Sequence, residues 1–286
     1  MELVFAAATC SVLVSILLKY CKNKGFDALQ MIASNYVVAS ILCYLWFEPD
    51  LVHVSISATP WWLIVLLGIA LPSIFLCLTQ SLQTAGILKT EIAQRLSVVL
   101  SLLAAYFLFQ EQFSQLKVLG VVLGIVAVLC ILSSHKNGVD IAASLNAQKG
   151  SMYLFAVWVG YALVDILLKY TTNLGLQFAV SLNLMFICAF ILTTTYLIIQ
   201  KTVWNIKSLT AGLALGLLNF ANIALYVKAH MLLKDSPAVV FAGMNILVVL
   251  FGVIAGLFLF KEKLNLMTAL GLLLGLAGVV CLALAI

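Results

Sequence analysis

Ten long apolar segments alternate with short polar breaks along the chain. They cover approximately residues 3–20, 28–47, 61–83, 88–109, 116–134, 151–170, 177–200, 209–232, 237–260 and 266–286. A helix needs roughly 20 residues to cross the hydrocarbon core of a bilayer, which is about 30 Å thick. The pattern therefore predicts ten transmembrane helices and an all-α membrane protein.

The composition excludes the main classes of soluble protein. Of the 286 residues, 65% are hydrophobic and 9% are charged, whereas soluble domains carry about 25% charged residues. This excludes a soluble enzyme and a secreted disulfide scaffold. The net charge of +5 comes from basic residues scattered singly, so we expect no nucleic-acid partner. The seven cysteines form no CxxC motif, so we expect neither a metal site nor a disulfide framework.

The chain contains two copies of one sequence pattern. VSILLKY at 14–20 recurs as VDILLKY at 164–170, and FLFQEQFSQLKVLGVVLG at 107–124 recurs as FLFKEKLNLMTALGLLLG at 258–275, with 8 of 18 positions identical. We predict a first five-helix repeat at 1–135, a linker at 136–150 and a second repeat at 151–286. Because five is odd, the second copy enters the membrane from the opposite side. Such inverted repeats place a site near the midplane between the halves and give alternating access.

The repeated motifs resemble those of the drug/metabolite transporter superfamily, and specifically its ten-span EamA-type permeases. The resemblance rests on the paired halves and on FLFQEQF and FLFKEKL, each followed by a Leu-Gly pair at 119–120 and 270–271. Gln112 departs from the family pattern, in which a basic residue follows the glutamate. The resemblance implies a cavity lined by helices 1–4 and 6–9, with helices 5 and 10 outside it. It also implies a bacterial plasma (inner) membrane protein.

The orientation in the membrane has two conflicting indications. Lys and Arg are enriched on the cytoplasmic side of membrane proteins. One set of connections holds ten lysines (Lys19, Lys22, Lys24, Lys89, Lys136, Lys149, Lys201, Lys207, Lys261 and Lys263), and the other holds four (Lys117, Lys169, Lys228 and Lys234). The count places both termini outside the cytoplasm, whereas the resemblance implies that both are inside it.

A polar stripe on the fourth predicted helix is the first candidate site. Glu91, Gln94 and Arg95 lie at helical spacing on one face, and Arg95 is the only arginine in the chain. Ionisable groups inside a membrane usually face protein or a water-filled cavity. In one interpretation Glu91 and Arg95 form a pair that neutralises itself. In the other, which we favour, Arg95 binds a carboxylate or phosphate of the solute.

The sixth predicted helix carries Trp158, Tyr161 and Asp165 on one face. Asp165 replaces Ser15 of the first copy, so the two halves differ in charge at this position. A carboxylate inside the membrane is a candidate for coupling proton movement to transport. The alternative is a salt bridge between Asp165 and Lys169 near the interface.

Amide and hydroxyl side chains extend the candidate site to two further helices. Asn219, Asn222 and Tyr226 line up on the eighth helix, and Asn245 on the ninth is the repeat counterpart of Gln94. Each amide alone is as well explained by a hydrogen bond between helices. Together the stripes favour a water-accessible cavity. The predicted substrate-binding set is Glu91, Gln94, Arg95, Trp158, Tyr161, Asn219, Asn222, Tyr226 and Asn245, with Asp165 as the proton-coupling candidate.

Glycines four residues apart occur on the predicted helices 5, 8, 9 and 10. The pairs are 120/124, 212/216, 252/256 and 271/275. Small residues at this spacing let helices approach closely in lipid. We expect packing within one chain, with a homodimer interface as the alternative.

These observations favour a secondary active transporter of a small polar metabolite, driven by proton coupling or by exchange. A single arginine, with Lys228 as the one further cation considered, favours an amino-acid-like zwitterion or a monoanion. A phosphorylated-sugar or nucleotide-sugar antiporter is the alternative within transporters, and a non-transporting membrane assembly subunit is the alternative of another class. No nucleotide-binding motif indicates use of ATP or another cofactor. No cluster of catalytic residues indicates an enzyme.

Overall fold

The computed structural model describes residues 2–52, 54, 59–109, 113–133, 141–233 and 237–285. In these ranges the regular structure is helical, without strands, which confirms the all-α prediction. The helices are α1 (Glu2–Asn23), α2 (Ala28–Phe47), α3 (Trp61–Thr84), α4 (Ile87–Phe109), α5 (Gln115–Ser133), α6 (Ile141–Asn173), α7 (Phe178–Ile199), α8 (Ile206–Leu232), α9 (Pro237–Ile254) and α10 (Leu266–Leu284). A π-helical turn, Ala255–Leu259, extends α9. All ten are long and apolar enough to cross a membrane, which confirms the predicted spans.

Helix α6 begins earlier than the apolar pattern indicates. It has 33 residues and starts at Ile141, inside the segment predicted as a linker, whereas its membrane-crossing part is Gln148–Asn173. The extra turns contain Ala, Leu, Gln and Lys, which are good helix formers although the segment is too polar to count as apolar. Residues 134–140 of the predicted linker lie outside the described residues.

Successive helices run in opposite directions, so the molecule has two distinct faces. The start of α1 and the end of α10 lie at one face, which we call the terminal face. The connections α1–α2, α3–α4, α7–α8 and α9–α10, together with the end of α5 and the start of α6, lie at the other, the far face. Nine of the described lysines are at or near the far face (Lys19, Lys22, Lys24, Lys89, Lys149, Lys201, Lys207, Lys261 and Lys263), and three are near the terminal face (Lys117, Lys169 and Lys228). The charge asymmetry therefore coincides with these two faces.

Several of the polar breaks are helix caps. The side chain of Asp27 accepts a hydrogen bond from the backbone N–H of Gln30 at 2.9 Å, and Asn265 accepts one from the N–H of Thr268 at 2.8 Å. Such side chains satisfy N–H groups that have no partner within the first turn of a helix. The residues that interrupt the apolar segments thus also fix where α2 and α10 begin.

The two halves pack mainly against each other. Helix α1 contacts α8 and α9, and the corresponding helix of the second half, α6, contacts α3 and α4. The pairs α2–α7, α4–α9 and α5–α10 join matching helices of the two halves. This pattern is consistent with the inverted repeat, and it places the interface between the halves at the centre of the molecule.

The glycine pairs pack within the chain, as expected. A Cβ atom on Gly212 would lie 2.4 Å from the carbonyl oxygen of Met31 on α2, and one on Gly271 would lie 2.7 Å from Ile131 on α5. A Cβ atom on Gly120 would likewise lie 2.7 Å from the side chain of Leu282 on α10. These glycines let α8 approach α2 and let α5 approach α10. The homodimer alternative is not tested by these contacts.

Candidate functional site

A cavity of about 450 Å³ lies between the two halves. Its described lining residues come from α1–α4 and α6–α9, and none of them comes from α5 or α10. This is the arrangement that the family resemblance implies. The volume falls within the range of about 300–1,000 Å³ that is usual for small-molecule sites.

Eight of the ten predicted site residues line this cavity. They are Gln94, Arg95, Tyr161, Asp165, Asn219, Asn222, Tyr226 and Asn245. The structure thus brings together polar residues from four helices that are far apart in sequence. Their role in binding a solute or a proton stays a prediction, because a cavity lining does not by itself identify a ligand.

Arg95 faces the cavity from α4 and retains unused donor capacity. Its Nη2 atom donates a hydrogen bond to the Ser11 hydroxyl on α1 at 2.5 Å, while its buried Nε has no partner. An ion pair joins Lys19 to Glu262, whereas the predicted Glu91–Arg95 salt bridge is not formed. The charges of Glu91 and Arg95 still interact, but the guanidinium is not in direct contact with the carboxylate one turn away.

Glu91 lies behind the cavity wall instead of on it. Its side chain is 1% exposed, and both carboxylate oxygens lack a hydrogen-bond partner. Ser15 on α1 is a neighbouring hydroxyl, and Gly252 on α9 packs so closely that a Cβ there would lie 2.8 Å from Cγ of Glu91. Glu91 thus occupies the contact of α4 with α1 and α9, outside the described lining of the cavity.

Asp165 faces the cavity from α6. Its Oδ2 atom accepts a hydrogen bond from the Ser101 hydroxyl on α4 at 3.2 Å. Since α4 also carries Arg95, a cationic and an anionic side chain are presented to one cavity by two facing helices. A guanidinium binds a carboxylate through two parallel hydrogen bonds, and a carboxylate accepts hydrogen bonds from an ammonium group.

The remaining candidates divide between holding helices together and facing the cavity. Trp158 does not line the cavity and donates its indole N–H to the Leu96 carbonyl on α4 at 3.0 Å. Asn219 lines the cavity but also donates to the Asn35 side chain on α2 at 3.1 Å. Asn222 lines the cavity with a buried, unpartnered oxygen. Asn222 therefore has more free hydrogen-bonding capacity than Asn219.

Several lining residues are not among those predicted from the sequence. Tyr36 lies at the cavity within an aromatic cluster with Phe75 and Phe186, and its hydroxyl is buried without a partner. Ser11 and Ser97 also line the cavity. A tyrosine or serine within an apolar segment gives no charge signal. The spacing of Ser11 and Ser15, one helical turn apart, could have indicated the α1 lining.

The ten apolar helices define a multi-pass membrane protein. A family model described as the EamA-like transporter family matches residues 2–133. A protein of Haemophilus influenzae, described as uncharacterized, is 37% identical over 288 residues, covering 98% of this chain and 97% of that protein. The first half of the chain thus matches a family of membrane transporters, and the ten candidate membrane helices are consistent with a permease of this kind.

A solved structure supports the fold alone. It is described only as "Crystal structure of protein", and it aligns with a TM-score of 0.56 and 15% identity over 98% of both chains. At this level of identity the match supports a similar helical architecture and gives no information about the solute.

Proposed function

We propose that this transporter moves a small amino-acid-like zwitterion or monoanion by alternating access, driven by a proton gradient or by exchange. The observation that carries the proposal is the pair of opposite charges, Arg95 on α4 and Asp165 on α6, at one cavity between the halves. Arg95 binds the carboxylate of the solute, and Asp165 binds its amino group or carries a proton. Asn222 and Asn245 supply hydrogen bonds without adding charge.

The cation content of the cavity favours a solute with one anionic group. Arg95 is the one Lys or Arg among the described lining residues. Lys228 is exposed, with its Nζ 5.6 Å from the ring centroid of Trp46, and it does not line the cavity. A phosphorylated sugar or a nucleotide sugar carries several negative charges, which a single guanidinium would leave partly unpaired within the membrane. This observation favours the zwitterion or monoanion over the antiporter alternative.

The non-transporting assembly subunit is the less favoured class. A subunit with only a structural role has no need of an unpaired guanidinium donor at an internal cavity, because burying such a donor is costly. The family match of the first half also favours transport. We further propose the plasma (inner) membrane as the location.

Uptake into proteoliposomes tests this proposal. The purified protein is reconstituted and offered a panel of amino acids, monocarboxylates and sugar phosphates, with and without a pH gradient. We expect saturable uptake of at least one amino acid or monocarboxylate, stimulated by the gradient or by internal solute. Saturable uptake of sugar phosphates alone would overturn the solute class, and a lack of uptake across the panel would favour the assembly subunit.

The Asp165→Asn variant tests the coupling role in the same assay. The amide retains the size and the ability to accept a hydrogen bond from Ser101 but cannot carry a proton at this position. We expect the stimulation by the pH gradient to disappear while solute exchange continues. Full stimulation in the variant would show that Asp165 does not couple proton movement to transport.

A further inference from the structure

The Glu262 carboxylate forms one of two polar contacts between the halves at the far face that we consider; in the other, the Gln30 side chain on α2 hydrogen-bonds the backbone of Val203 and Asn205. Glu262, on the α9–α10 connection, accepts hydrogen bonds from Lys19 Nζ at 2.5 Å, from the N–H of Ile87 at 2.7 Å and from the N–H of Leu88 at 3.1 Å. All three donors belong to the first half, on α1 and at the start of α4. An anion at a helix N-terminus is stabilised by the free N–H groups and by the helix dipole.

The backbone conformation around Glu262 places its carboxylate at the start of α4. The π-helical turn Ala255–Leu259 precedes it, Lys261 has a positive φ of 52°, and the N–H of Glu262 donates to the Gly256 carbonyl at 2.8 Å. On the other side, a Cβ on Gly86 would lie 2.7 Å from the Glu262 carboxylate. The φ of Gly86 is +95°, a conformation that favours glycine. The carboxylate thus fits a cradle that leaves no room for a side chain at position 86.

Lys19 connects the same cluster to further elements. Its side chain is 11% exposed, and Nζ lies 4.5 Å from the ring centroid of Phe260. Its backbone carbonyl accepts a hydrogen bond from the Gln83 side chain on α3 at 3.1 Å. Helices α1, α3 and α4 of the first half therefore meet the α9–α10 connection of the second half around one ion pair.

This cluster lies between the cavity and the far face. Ser15, a lining residue, is one helical turn before Lys19 on α1. In the other direction the lining reaches Phe178, the first residue of α7, and Phe241, in the second turn of α9, both near the terminal face. The cavity thus extends towards the terminal face and is separated from the far face by the Lys19–Glu262 cluster.

We propose that the Lys19–Glu262 ion pair is the gate of the far face. It holds α1 and α4 against the α9–α10 connection while the cavity extends to the terminal face, and it separates when the cavity opens to the far face. The inference rests on the proposed alternating access and adds the residues that control one of its two faces. The repeat matches Lys19 with Lys169 and Glu262 with Glu111, but Glu111 lies outside the described residues, so the inference concerns the far face alone.

Accessibility of one cysteine from each face tests the gate without any substrate. Ser15→Cys is introduced after the seven native cysteines are replaced, and its labelling by a membrane-impermeant maleimide is followed in right-side-out and inverted vesicles. A separate Lys263→Cys protein, modified on the exposed far-face connection, identifies the vesicles that present the far face. The variants compared are Glu262→Gln, Lys19→Met and Lys263→Gln; the last removes a charge from the same connection outside the ion pair.

We expect both Glu262→Gln and Lys19→Met to raise the labelling rate from the far face about tenfold, equivalent to about 1.4 kcal/mol in the equilibrium between the two states. Labelling from the terminal face should fall, and Lys263→Gln should match the parent protein. Lys19→Met leaves the hydrogen bonds of Glu262 to α4 intact. This variant therefore tests the gate by itself if Glu262→Gln does not fold.

Unchanged labelling in a folded Lys19→Met protein, judged by a single symmetric size-exclusion peak, would overturn the gate. That outcome differs from a failure of the proposed function. Because labelling needs no solute, the gate can fail while uptake is retained, and uptake can be absent while the ion pair still controls accessibility.

Discussion

The Lys19–Glu262 ion pair at the far face and the charged residues of the cavity differ in how fully they are hydrogen-bonded. At the far face, the Glu262 carboxylate accepts three hydrogen bonds, one of them from Lys19. At the cavity, Arg95 has an unpartnered Nε and Asp165 accepts one hydrogen bond from Ser101. A fully satisfied charge holds helices together, whereas an unsatisfied charge at a cavity is available to a ligand. The difference distinguishes the ion pair that we propose as a gate from the cavity that we propose as the binding site.

The largest effect is expected at Arg95. In Arg95→Gln the bidentate, charged donor for a carboxylate is lost, so uptake of the solute should fall about 100-fold, corresponding to roughly 2.7 kcal/mol. Initial rates of proteoliposome uptake measure this effect. Lys228→Gln is the matched control, because it removes an exposed cation outside the cavity. Equal losses in the two variants would contradict the role of Arg95.

Alanine at Gly86 should destabilise the protein through the far-face cluster. The new Cβ would lie 2.7 Å from the Glu262 carboxylate, while Gly25, with a φ of +79°, has no atom within 4 Å of the corresponding position. Both substitutions carry the backbone strain of a positive φ, so their difference isolates the contact with Glu262. We expect Gly86→Ala to lose about 1–3 kcal/mol more than Gly25→Ala, the usual cost of forcing an extra methyl group into a packed site, measured by thermal unfolding in detergent. Equal losses of stability in the two variants would show that the structure around Glu262 accommodates the added methyl group without destabilisation.

Trp158 and Tyr161 both lie on α6, but we expect Trp158 to affect helix packing and Tyr161 to affect solute binding. Trp158→Phe removes the indole hydrogen bond to Leu96, and we expect a loss of about 1 kcal/mol of stability without a change in KM. Tyr161→Phe removes a hydroxyl from a lining residue and should raise KM for the solute. Thermal unfolding and uptake kinetics of both variants check the pair. A raised KM in Trp158→Phe alone would reverse the assignment.

A change at Glu91 should also have little effect on solute binding. Its carboxylate is outside the lining and lies beside the Ser15 hydroxyl on α1, so Glu91→Gln should leave KM within about twofold, less than a neutral hydrogen bond contributes. The Michaelis constant for uptake, compared with that of Tyr161→Phe, tests this. A large rise in KM in Glu91→Gln would show that Glu91 takes part in solute binding.

The helices and much of the cavity lining follow from the sequence for a physical reason. A bilayer requires long apolar helices, so segment length predicts the ten spans, and it penalises polar groups in contact with lipid. Polar residues such as Arg95 and Asp165 inside these spans therefore point to the cavity. The length of the apolar segments does not predict the extra turns at the start of α6, because these turns precede the membrane-crossing part of the helix.

The contacts between distant segments do not follow from the sequence. Glu91 and Arg95 lie on the same stripe, and helical spacing cannot show that the approach of Gly252 on α9 removes Glu91 from the cavity. The repeat motif marks Glu262, but its partners are a lysine 243 positions away and two backbone N–H groups. Backbone donors leave no trace in a residue pattern, so the far-face cluster requires the three-dimensional structure.

The orientation of the two faces is settled by a reporter fused to the C-terminus. The lysine asymmetry predicts that the fusion is outside the cytoplasm, so the far face with its ion pair is cytoplasmic. A reporter that is active only in the cytoplasm would instead place the terminal face there, as the family resemblance implies.

The most direct test of the account is whether one position in the cavity is reached from both faces in turn. Ile223, an apolar lining residue of α8, is replaced by cysteine in a background without other cysteines and labelled with an impermeant maleimide from each side of the membrane. The account predicts labelling from both faces, slowed on each by the solute identified in the uptake assay. Labelling from one face alone, unaffected by that solute, would contradict it.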